Sequence, residues 1–298
     1  MSGQLRRGES GTHGVRRVLR QDVKGALEVL AGRWPPADEA IHEARKRLKK
    51  ARAELRLLRR ALGDRSYPRE NRALRDAARP LSEVRDAVIL VQTFDALVET
   101  EPSDRDALEP LREGLVAHQR QARDRVLGGR RKLRAVLQAL RSARTRIDRW
   151  PLEPRGWSVL GWGVRRVFRS GRNAFVEVRK HPTPERLHEW RKQAKYLWHQ
   201  LQVLEPIWPS HLARLGKRVH ELSDLLGEDH DLVVLRQVLR RGRARVGTSP
   251  HRAIDRLIER RRRTVQAKAT DLGAEVYDRP PRAFAKRLHE HWRRWRSQ

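Results

Sequence analysis

Two stretches of this chain carry the same ionisable residues at the same spacing: I-H-E-A-R-K-R-L-K-K from Ile41 and L-H-E-W-R-K-Q-A-K-Y from Leu187. The shared set is His42, Arg45, Lys46 and Lys49 in the first copy, and His188, Arg191, Lys192 and Lys195 in the second. Arginine grips phosphate oxygens bidentately and lysine supplies a mobile point charge. Histidine adds a donor whose charge appears near about pH 6.5, and a neighbouring phosphate would hold it protonated. Such a set would bind an anion more strongly as pH falls through that value. The cations are not balanced by acids four residues on: Glu43 reaches Arg47 on another face, and Glu189 meets Gln193. A stack of uncompensated cations is unfavourable unless an anion fills it. The chemistry it points to is the grip of a polyanion.

Both stretches read as helices whose apolar faces fix where the cations lie. Ile41, Ala44, Leu48, Ala51, Leu55 and Leu58 recur at 3–4 spacing, as do Leu187, Trp190, Ala194, Leu197 and Leu201. The cationic stripe is turned from that face by one residue step, roughly 100°. It therefore lies at the shoulder of the core. Arg16, Arg17 and Arg20 on the preceding helix, and Arg165, Arg166, Arg169 and Arg172 before the second copy, extend the same chemistry. Lys50 follows the first stripe, where the second copy has Tyr196.

Other chemistries find little support. His42-Glu43 lacks the second histidine four residues on that a zincin helix needs, and cations surround it. Asp86 with Glu83, and Asp231 with Glu228, are read as acids that hold basic neighbours in place. No glycine-rich phosphate loop or nucleophile elbow occurs, so no catalytic residue, metal or cofactor is expected. Of the nine tryptophans, Trp190, Trp292 and Trp295 fall at apolar or helix-end positions, and Trp150 and Trp157 flank a linker. Core and hinge packing explains them better than base stacking.

Sixty-eight Lys and Arg against 37 Asp and Glu give the 298-residue chain a formal net charge of +31. That excess attracts any polyanion, non-specific nucleic acid at low salt included. With no cysteine, disulfide scaffolds and thiolate metal sites are excluded, in keeping with a reducing cytoplasm. No apolar run is long enough to insert in a membrane, and the first residues show no secretory pattern.

Helical periodicity dominates the chain, so an all-α fold is expected. G-V-R-R-V-L-R at Gly14 returns as G-V-R-R-V-F-R at Gly163, and L-S-E-V-R-D-A-V-I-L at Leu81 as L-G-E-D-H-D-L-V-V-L at Leu226. With the central stretches, the three matched blocks are offset by 145 to 149 residues. This predicts a disordered basic arm over 1–13, a first helical repeat over 14–149, a Pro- and Gly-rich linker over 150–156, and a second repeat over 157–298. Within the repeats, a helix begins near Gly14, Pro68 opens another, Pro80 interrupts it, and Ser249-Pro250 caps a late one.

The chain resembles the CHAD family, the conserved-histidine α-helical domains. The resemblance rests on H-E-x-R-K-x-x-K at His42 and His188, G-V-R-R-V-x-R at Gly14 and Gly163, the R-D and H-D pairs at Asp86 and Asp231, and the closing D-L-G-A-E-V-Y-D-R-P-P-R-A-F. It implies two four-helix bundles with pseudo-two-fold symmetry around a basic central surface or cavity. It further implies non-enzymatic binding of inorganic polyphosphate and association with polyphosphate granules. Many relatives carry an attached triphosphate tunnel domain with E-x-E-x-K, which this sequence lacks, so a stand-alone binding module is expected. Chain-length preference and oligomeric state are not set by the sequence.

Overall fold

The computed structural model describes residues 3–100, 105–153, 155–241 and 248–298, and among them ten α-helices and no strand. Five precede the connector at 150–156: α1 (Gly11–Leu30), α2 (Asp38–Leu57), α3 (Arg59–Val98), α4 (Arg105–Leu127) and α5 (Arg130–Asp148). Five follow it: α6 (Trp157–Lys180), α7 (Pro184–Leu204), α8 (Pro209–Arg241), α9 (Thr248–Val276) and α10 (Pro281–Ser297), with a 3-10 turn at Glu205–Ile207 between α7 and α8. That is one helix more on each side than a four-helix bundle. The matched sequence blocks fall on α1 and α6, α2 and α7, and α3 and α8.

Local chemistry explains most boundaries. Thr183 caps α7, its hydroxyl accepting the Arg186 N–H at 3.3 Å, with Pro184 at the first position. Ser10 caps α1 in the same way through His13, which starts that helix three residues ahead of Gly14. Gly63 has φ 68°, a left-handed conformation that suits glycine, and it ends the short turn after α2. The long run of α3 then starts ahead of Pro68 and continues through Pro80 without a break. A mid-helix proline costs about 3 kcal/mol. Leu74, Leu81 and Val84, buried on both sides of Pro80, offset that at roughly 1.5–3 kcal/mol each. Ser249 and Pro250 lie inside the first turn of α9 rather than before it.

Residues 3–13 are packed, contrary to the expected free arm; residues 1 and 2 lie outside the described part. Leu5 is 4% exposed and its N–H donates to the Val203 carbonyl at 3.0 Å. Arg17 clamps the segment by donating to both Glu9 carboxylate oxygens, at 2.5 and 2.9 Å, and to the Gln4 carbonyl. From the other end of the chain, Arg296 donates to the Arg7 and Glu9 carbonyls. The connector is held too: the Thr12 hydroxyl donates to the Glu153 carbonyl at 2.7 Å, and Trp150 and Leu152 are buried.

Two cores organise the helices. The larger contains the apolar faces of α2 and α7, which pack on one another, and those of α1, α5, α6 and α10. Every residue of the two predicted apolar stripes is buried. Gly163 on α6 has no room for a side chain: a Cβ there would lie 2.7 Å from the Leu57 backbone. The smaller core joins the far ends of two hairpins, Leu90, Phe94 and Leu111 of α3 and α4 with Leu235, Leu239 and Ile258 of α8 and α9. Leu81 and Leu226 belong to the first core, Leu90 and Leu232 to the second. The stretches 85–89 and 227–231 therefore sit where the cores meet.

Candidate anion-binding site

Burying the apolar face of α2 leaves Arg45 and Lys49 at its shoulder, and α7 does the same with Arg191 and Lys195. Arg45 is only 9% exposed. Its Nη2 donates to Asp86 Oδ1 at 2.8 Å and its Nε to the Ser82 hydroxyl at 3.2 Å, both on α3. Arg191 is likewise faced by Asp231 of α8 and by Asp86. Its Nε is buried with no hydrogen-bond partner among the described residues. Asp86 thus holds Arg45 by a direct bond, while Asp231 acts on Arg191 through its charge alone.

The two stripes converge. Burial holds Lys49 at a pKa of about 7, assisted by the nearby charges of Arg45, Lys195 and Arg191 and opposed by Asp86. Lys195 is held at about 8 by burial and Arg191, with Asp224 and Asp231 opposing. Both lysines are partly buried and keep some solvent contact. Burial also raises Asp231 against the pull of Arg191 and Lys195. Cations from both sides of the connector therefore share one electrostatic environment, and like charge crowds like. Five cations (Arg45, Lys49, Arg85, Arg191 and Lys195) face four carboxylates (Asp38, Asp86, Asp224 and Asp231), Asp38 through Arg85 alone.

The histidines border this cluster, but not as cations. His42 is held below its usual value by burial and then by Arg85, Arg45, Lys46 and Lys49. His188 is lowered by burial, Arg191 and Lys192. Its Nδ1 lies 3.3 Å from Nδ1 of His230, which burial and the cations around it depress to about 3. The two imidazoles share one N–H, one ring donating and the other accepting. The expected pH window near the ordinary histidine value thus moves down for these groups, and the groups that titrate near neutrality are the two lysines.

Other residues of the predicted set lie elsewhere. Lys46 and Lys192 sit at the outer edge of the stripes, paired with Glu43 and Glu189 three residues before them. Lys50 faces away, into a recess of about 380 Å3 that it lines with Asp22, Arg47, Glu54 and His199. Tyr196, its counterpart, lies under the Arg56 guanidinium, 3.5 Å from the ring centre. Lys50 and Tyr196 therefore differ outside the cluster. Arg17 is taken up by Glu9, and Arg20 by Asp148 at 2.5 Å, because α1 turns this face toward the amino-terminal segment and the end of α5. Arg166 lies over the Trp162 ring. Arg16, Arg165, Arg169 and Arg172 are not among the charged groups that act most strongly on the clustered lysines and histidines.

Arg85, Asp224 and His230 complete the cluster without having been singled out from sequence. Arg85 and His230 occupy the same place in the repeated L-S-E-V-R-D and L-G-E-D-H-D blocks, one beside His42 and one against His188. That register was the signal available. Among the described residues, no group of three or more His, Asp or Glu could hold a metal ion. No helix described is long and apolar enough to cross a membrane.

The family model for the CHAD domain matches residues 17–240. The matched span runs from within α1 almost to the end of α8 and leaves α9 and α10 outside, together with the closing motif quoted above. No curated protein matches the chain.

Proposed function

Because the chain belongs to the CHAD-domain family, a family of polyphosphate-associated domains, we propose that the α2–α7 cluster binds inorganic polyphosphate. The observation that carries this reading is the pair Lys49 and Lys195, held at about 7 and about 8. Lysines return toward their ordinary value, near about 10.4, when an anion supplies the missing countercharge. A condensed phosphate chain has a charge on every phosphorus and no sugar between them, so it delivers that countercharge densely. Counterion release supplies most of the affinity.

In this reading the halves before and after the connector are related by a pseudo-two-fold axis between α2 and α7. Arg45 with Asp86 answers Arg191 with Asp231, and His42 beside Arg85 answers His188 beside His230. The bound chain crosses the axis and meets both stripes. The protein acts without catalysis, as a cytoplasmic binding module that attaches to polyphosphate granules. A general nucleic-acid binder is the competing reading, favoured only by the overall charge of +31.

A competition titration at about 0.15 M salt, where weak surface attraction is screened, separates the two. Labelled long-chain polyphosphate is displaced by unlabelled polyphosphate, single-stranded RNA or duplex DNA at equal phosphate concentration. Displacement by polyphosphate alone is expected. Equal displacement by RNA or DNA would make the cluster a general polyanion site.

A further inference from the structure

The central cluster accounts for little of the protein's charge, since the carboxylates around it offset most of its five cations. Much of the excess lies on α5 and α10, the last helix before the connector and the last of the chain. In 19 residues α5 has seven Arg and Lys against Asp148, and in 17 residues α10 has six against Glu290. Each buries one apolar face, Leu133, Val136, Leu140 and Ile147 on α5, and Phe284, Leu288, Trp292 and Trp295 on α10. The opposite faces carry cationic rows at helical spacing: Arg131, Arg134 and Arg141, and Arg282, Lys286 and Arg293. All six are exposed, and none forms an ion pair among the described residues.

These rows lie on other helices than the cluster. The charged groups that act most strongly on Lys49, Lys195, Arg191, His42, His188 and His230 come from α2, α3, α7 and α8. Helix α5 packs on α1, α3 and α4, and α10 on α6 and the 3-10 turn. A chain seated in the cluster leaves both outer rows free for other chains.

The geometry points to α5 and α10 as two further docking surfaces for polyphosphate, which make the protein a cross-linker of chains rather than a one-to-one binder. This rests on the reading of the central cluster as a polyphosphate site. One site per protein decorates a long chain; two or more sites per protein join chains into a network, with avidity beyond the separate affinities. Each outer row alone is weak and steeply salt-dependent. The network should therefore dissolve at a salt concentration that leaves the central complex intact.

The test uses the full chain with Arg131, Arg134, Arg141, Arg282, Lys286 and Arg293 replaced by Gln, which keeps helix propensity and removes charge. Circular dichroism confirms the fold, and variants altered on α5 alone or α10 alone serve if the sixfold one is unstable. Affinity for a short polyphosphate, on the order of ten phosphates, isolates the central site; light scattering with a chain of several hundred reads cross-linking. Short-chain affinity should stay within about threefold of the original protein, while scattering at about 0.15 M salt falls by about tenfold or more. Unchanged scattering overturns the inference. So does a loss confined to single-stranded RNA or to phosphatidylserine vesicles, run in parallel, which would give the rows to those anions. Failure of the original protein to bind the short chain removes the reading of the central cluster, and this inference with it.

Discussion

Helices α2 and α7 border two polar regions of opposite character. On one side, Lys49 and Lys195 crowd Arg45 and Arg191, and burial pushes the lysines toward neutrality. On the other, Glu54 is 2% exposed, and burial with the neighbouring Asp22 raises its pKa well above the usual carboxylate range. In the acidic recess one proton, held between Glu54 and Asp22, relieves the crowding from within, and Lys50 adds a compensating charge. In the basic cluster Asp86, Asp224 and Asp231 offset part of the charge, and the remainder is relieved by losing protons or gaining an anion. The two buried clusters on one helix pair thus differ in whether their relief is complete within the protein. Only the basic one invites a ligand.

The strongest way to break this contrast is to remove the cationic side. Replacing Arg45, Lys49, Arg191 and Lys195 by Glu should lower polyphosphate affinity by more than about a hundredfold, since each lost phosphate contact removes its share of counterion release. Helix content by circular dichroism should be unchanged, because all four lie off the apolar faces. Retained affinity would place the site elsewhere.

The acidic side should show itself in stability rather than binding. A carboxyl whose folded-state pKa is raised adds stability below its unfolded value, and that stability is lost as pH rises toward the folded value. Glu54→Gln should therefore flatten the fall in melting temperature above about pH 4.5, by about 2–4 °C per kcal/mol involved. Polyphosphate affinity should be unchanged. A melting curve with the original pH dependence would mean that Glu54 is not the group being strained.

The smallest effect concerns Tyr196, which stands where the first stretch has Lys50. Tyr196→Lys should alter polyphosphate affinity by less than about twofold, since the side chain meets Arg56 rather than the cluster. It should lower stability by about 0.5–1 kcal/mol through the lost cation–π contact. A gain in affinity comparable to that of an added phosphate contact would bring the position back into the site.

How much of this was legible in the sequence follows the range of the interactions. The apolar stripes of α2 and α7 were legible because burial follows the period within one helix, and every residue named there is buried. The cationic shoulder followed by geometry. The fates of Arg17 and Arg20 were not legible, because Glu9 and Asp148 reach them from other segments. Lys50 was misplaced for a related reason: one residue step beyond Lys49 crosses from the cluster to the recess of Asp22 and Glu54. The uninterrupted helix through Pro80 depends on flanking leucines finding a core, which local propensity does not register. The histidines were the subtlest case. Their residue type implies titration near neutrality, but the cations that make the site also depress them.

The central claim, that an anion completes the charge of Lys49 and Lys195, is tested most directly by proton uptake. Both lysines are held below their ordinary value in the free protein, and a phosphate chain favours their charged form. Binding must then take up protons above about pH 7, and affinity must decline as pH rises through 8 and level off below 7. Calorimetric titration with polyphosphate at about pH 7.5, in two buffers of different ionisation enthalpy, counts those protons. An uptake of about one proton per bound chain is predicted, retained in His42→Gln and His188→Gln and lost in Lys49→Gln with Lys195→Gln. Binding without proton uptake, or an uptake abolished by the histidine variants alone, would contradict the account.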